Sequence, residues 1–253
     1  MFTKRKPTFM TYFRNLAFMA MLLFAAACTT QQINQTLGGI GDVLGEGSKG
    51  GLSSQEVADG LKQALTQGIS KGAASASQED GYYKNPRLRI PFPEDARRVE
   101  EKLRQIGLGS EVDRFILTLN RGAEDAAKEA KPIFVNAIRS MTIQDAWNIL
   151  KGDDNAATQY LRRTTGEQLR AKFKPVISQS LDKVQATKYY GDIVTTYNRL
   201  PGVQRVNPDL EDYATTMAID GLFLLVADEE KNIRENPVAR TTELLKRVFA
   251  RQE

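Results

Sequence analysis

The chain has 253 residues, 41% of them hydrophobic and 26% charged, with a net charge of +4, no histidine and one cysteine. The missing histidine removes histidine general bases, Ser-His-Asp and Cys-His nucleophile systems, and nearly all zinc or haem ligation. A single cysteine allows no intrachain disulfide and no cysteine-rich metal site, so a folded domain must rely on its apolar core.

The first 27 residues read as a lipoprotein signal peptide. Lys4, Arg5, Lys6 and Arg14 precede an apolar run from Leu16 to Ala27, and Ala25-Ala26-Ala27 stand directly before Cys28. Charged start, short apolar stretch and small-residue cleavage site are the three parts of a secretory signal. The run is 12 residues long, short of the roughly 18 that a spanning helix needs. Cysteine at the first mature position is expected to be lipidated, and two or three acyl chains make a stable anchor where one is marginal. Without the leader's four basic residues the mature chain has 31 basic and 31 acidic residues. The basic pI of 9.1 therefore belongs to the leader. A balanced mature chain gives no electrostatic reason to bind nucleic acid.

Residues 28–51 are rich in Gln, Gly and Ser and read as a flexible tether. Residues 52–253 are expected to form a single all-α domain of about nine helices, kinked at prolines. Ser53-Ser54-Gln55-Glu56 reads as a capping box ahead of Val57, Leu61, Leu65 and Ile69. Pro93 opens a second helix through Val99, Leu103 and Ile106, closed by Gly107 and Gly109. Ser110 caps a third with Val112, Phe115, Ile116 and Leu119 inward, running to a restart at Lys131-Pro132. Thr142 to Asp145 begins a short helix bearing Trp147 and Leu150, and Asp153 or Asp154 caps the next. Thr165-Gly166-Glu167-Gln168 opens a longer stretch interrupted at Pro175, followed by a helix from about Tyr189 to Leu200. Asn207-Pro208 starts the most apolar helix, expected at the centre of the bundle. Asn236-Pro237 ends it, and Leu244, Leu245, Val248 and Phe249 make the final amphipathic turns. The one alternating stretch, Arg87 to Ile90, is short and bounded by prolines, which argues against a strand.

Two places stand out as candidate sites. The segment from Gln78 to Pro93 is a candidate interaction loop carrying Tyr82, Tyr83, Asn85, Arg87, Arg89 and Phe92. Aromatics with adaptable polar neighbours make good contacts, and arginines grip carboxylate or phosphate. The competing reading is that the aromatics tuck the loop onto the bundle. Glu230 and Arg234 stand four apart with the acid first, the favourable order for a structural ion pair. No catalytic, cofactor-binding or metal-ligating constellation is visible.

Several stretches resemble the bacterial domain of unknown function 4197. They are Asp80-Gly81-Tyr82-Tyr83 with Asn85-Pro86, Ile90-Pro91-Phe92-Pro93-Glu94, Lys131-Pro132-Ile133-Phe134 with Ala137-Ile138, Met141-Thr142, and Asp220-Gly221-Leu222-Phe223. Glu229-Glu230, Ile233-Arg234, Asn236-Pro237 and Lys246-Arg247-Val248-Phe249 complete the set. The resemblance implies a helical envelope protein, often a lipoprotein, with no established activity and no functional residues to carry over. The expected role is a lipid-anchored binding or assembly module at the periplasmic face of the outer membrane, with an envelope protein as partner and no metal or cofactor. The alternatives are a carboxylate-dependent hydrolase of envelope glycan and a carrier of an apolar ligand.

Overall fold

The structure, a computed structural model, describes residues 52–236. The leader, Cys28, the tether and the expected final turns lie outside them. The described residues hold eight α-helices: α1 Ser54–Ala76, α2 Arg97–Gln105, α3 Gly109–Ala127, α4 Ala130–Ser140, α5 Ile143–Leu150, α6 Ala156–Asp182, α7 Ala186–Tyr197 and α8 Leu210–Glu235. A single 3-10 turn, Glu94–Ala96, leads into α2. No strand is present among these residues, and none of their helices is long and apolar enough to cross a membrane.

The core is an antiparallel pair of long helices, α6 and α8. Their register is set by Ala157 against Glu230, Arg162 against Asp220 and Arg170 against Asp212. Leu161, Leu169, Phe173, Ile177 and Leu181 of α6 are fully buried, as are Ala214, Ala218 and Leu222 of α8. Phe223 of α8 packs edge-on to Phe134 of α4 at 5.6 Å, and Arg162 lies over the same ring at 4.4 Å. Helix α1 runs antiparallel to α8 with little room between them. A Cβ added at Gly68 would come within 3.1 Å of Glu229 Cβ, and one at Gly72 within 3.4 Å of Leu225 Cβ. Helix α3 covers α6, with Gly122 against Ile177 and Ser180.

This register gives the bundle two distinct ends. The start of α6, the end of α8 and the start of α1 lie at one. The end of α6, the starts of α3 and α8, and α7 lie at the other. The 27 residues of α6 separate the two by about 40 Å at 1.5 Å per residue.

Several helix boundaries differ from the sequence expectation. Thr165 does not open a new helix: its hydroxyl donates to the Leu161 carbonyl inside α6 at 2.6 Å. Pro175 does not end that helix either. Pro175 is exposed, so the carbonyl it leaves unpaired faces water, while Phe173, Ile177 and Leu181 hold the chain helical from the buried side. Ser110 makes no cap; Leu108 takes that position with no side-chain bond. Neither Asp153 nor Asp154 caps α6, because Glu230 supplies that function from α8. Helix α8 begins later than Asn207-Pro208, capped by Asp209 accepting from the Asp212 N–H at 2.8 Å. The Thr142 expectation holds, as a complete capping box with Asp145.

Phe173→Ala would leave a cavity where α6 meets its neighbours. The expected loss is about 3–5 kcal/mol, read as a lower urea midpoint with an unchanged slope.

Candidate functional site

The loop from Gln78 to Pro93 is fastened by two polar residues on the buried stripe of α3. Asn120 Nδ2 donates to the Ile90 carbonyl at 2.8 Å while Asn120 Oδ1 accepts from the Ile90 N–H at 2.8 Å, as a neighbouring strand would. Glu124 Oε1 accepts from the N–H groups of Tyr82 and Tyr83, both at 3.1 Å, and Glu124 Oε2 accepts from Arg121 at 2.6 Å. Tyr82 is fully buried, and its hydroxyl donates to the Ala218 carbonyl at 2.6 Å. Burial pushes that phenol well above its usual range, with the Glu124 carboxylate adding to the shift. The turn itself needs Gly81, since a Cβ there would collide with the Ser75 and Ala76 carbonyl oxygens. Asp80 holds a left-handed φ of 68°, and its carboxylate pairs with Arg121 at 2.9 Å and Lys84 at 2.8 Å. These cations hold the Asp80 carboxyl below its usual value.

The six residues singled out in this loop do not form one surface. Tyr82 is internal. Tyr83 is half-buried beneath Arg89, whose guanidinium sits 5.0 Å from the ring centre. Asn85 is half-buried; its carbonyl accepts from Leu88 and Arg89, and its side chain accepts from the Arg87 N–H. Arg87 is exposed but committed to Asp228 through two hydrogen bonds of 2.6 and 3.0 Å. Phe92 points the other way, toward α3 and α7.

Glu230 and Arg234 do meet, at 2.9 Å, in the interior rather than on an exposed face. The Glu230 carboxylate accepts from the Ala157 and Thr158 N–H groups at 2.9 and 2.8 Å and from the Thr158 hydroxyl at 2.8 Å. Arg234 also donates to the Ile149 carbonyl at 2.9 Å. A carboxylate at a helix N-terminus satisfies orphan donors and complements the helix dipole. Glu230 is therefore saturated by structural bonds, and it offers no free lone pair for acid–base work.

A largely apolar groove lies elsewhere, at the end of the bundle remote from Ser54. Phe92, Phe115 and Tyr190 form its floor, with ring centres 5.0 to 6.1 Å apart. Leu103 of α2, Leu108 and Val112 beside and on α3, and Tyr189 and Ile193 of α7 make the walls of a groove of about 380 Å³. Glu111 and Arg114, 3.9 Å apart, stand at its rim. The Tyr190 hydroxyl donates to the Asn207 carbonyl at 3.2 Å, which leaves the floor apolar. In its wall, Tyr189 is 57% exposed.

This fold and its recognisable stretches agree with a comparison against protein families. Residues 51–250 match the model for DUF4197, a protein of unknown function. The chain belongs to that family. No curated protein and no solved structure matches it. Within the DUF4197 domain, the stretches that carry the resemblance build the fastenings. Asp80 to Tyr83 form the buried turn, Gly221 leaves room for the Tyr82 ring, 3.0 Å from where a Cβ would stand, and Glu230 with Arg234 closes α6.

Sequence reasoning missed Asn120, Glu124 and the groove. The first two had a signal: they fall in the inward stripe of Val112, Ile116, Leu119 and Ala123, where a polar side chain needs a partner. The groove had a weaker one. Helix α7 carries the exposed Tyr189 and Ile193 beyond the three residues it buries, Ala186, Tyr190 and Val194.

Two predictions follow from the fastenings. Glu230→Ala leaves two N–H groups and a hydroxyl without an acceptor and Arg234 without its carboxylate, and should cost about 3–5 kcal/mol in urea unfolding. Glu230→Gln, which keeps acceptors, should cost less. Asp80 and Asp145 have carboxyls held below their usual values, the latter by Thr142 hydrogen bonds. A depressed folded-state value gives stability that is full above the unfolded value near 4 and lost as pH falls through the folded one. The urea midpoint should therefore be flat from pH 7 to 5 and fall below about pH 4, less steeply in Asp145→Asn.

Proposed function

We propose that this DUF4197 protein is a lipid-anchored, non-enzymatic binding or assembly module of the bacterial envelope, and that it makes its contacts through the groove of Phe92, Phe115 and Tyr190. The observation that carries the reading is the polarity of the bundle. The chain leads from Cys28 into α1 at one end, and the apolar groove lies about 40 Å away at the other. The environment of Cys28 in the sequence supports anchoring, and the absence of an Asp after it favours the outer membrane.

The buried carboxylates argue against the hydrolase alternative. Glu124 and Glu230 accept hydrogen bonds from backbone and arginine donors, and Glu111 is the one carboxylate lining the groove. A glycosidase needs two across a cleft. The apolar-carrier alternative keeps a specific support, since about 380 Å³ of largely apolar space falls in the range of small-ligand pockets.

Two experiments test the proposal. Labelled palmitate should enter the wild-type chain and be lost in Cys28→Ala; retention in the variant refutes the anchor. A photoreactive residue placed at position 193 should crosslink a discrete envelope species, whereas one at exposed position 131 on α4 should not. Equal yields at both positions would refute the groove as the contact site.

A further inference from the structure

We draw no further inference here: the strongest candidate, the apolar groove between α3 and α7, belongs to the contact site already proposed, and nothing in the structure shows what covers it.

Discussion

The Glu230 carboxylate, 73 residues from the N–H it binds, fixes more of this architecture than any other single group. Helix α6 begins against α8, away from water, so its first donors must be met by protein. The local candidates, Asp153 and Asp154, do not reach them. Glu230 meets two of these donors and the Thr158 hydroxyl, and Arg234 balances its charge while bonding the last turn of α5. Burying a charge is costly unless it is both paired and hydrogen-bonded, and here both conditions hold. The bond sets where α6 starts along α8. That register in turn places the end of α6, and with it the groove, at the far end of the bundle.

Asn120 and Glu124 apply the same principle to a loop. The seventeen residues 77–93, connecting α1 to the turn before α2, would be a long structureless passage for a compact domain. They are held because α3 presents an amide and a carboxylate to their backbone in place of a strand partner. Arg87 and Asp228 then tie the loop's outer face to α8. The aromatic side chains of the loop are divided accordingly, with Tyr82 placed between α3 and α8 and Phe92 in the groove floor. The loop is therefore scaffold along most of its length and contributes to a surface at one residue.

The helices were legible in the sequence because their signal is local. Apolar spacing located them, though it broke α6 into pieces, and the start of α5 at Thr142–Asp145 could be read directly because both partners of its cap lie within one turn. What misled was also local. Thr165-Gly166-Glu167-Gln168 has the composition of a helix start, yet Leu161 and Leu169 on either side are buried by the same neighbours, and tertiary packing overrode the cap. Pro175 was survivable because it falls on the wet face. The groove could not be read, since it is assembled from α2, α3, α7 and the loop, and no one of these is unusual alone. The Glu230–Arg234 pair was legible as a pair, but its buried role depends on α6, which spacing within α8 cannot show.

The groove and the chemical poverty of the chain constrain function together. With no histidine and its buried carboxylates engaged, the domain offers a partner mainly shape and apolar surface, with Glu111 and Arg114 as the charged features at the rim. A site of that kind is weakly selective, because apolar contact does not discriminate as paired polar groups do. It is also small, and modest burial rarely overcomes the entropy lost on association. Confinement changes that balance. On the proposed anchor, chain and partner share one envelope compartment, and a flexible linker holding two surfaces within reach raises their effective concentration into the millimolar range. On that proposal a shallow groove would suffice, and selectivity would pass from the contact itself to the place where the anchor puts it.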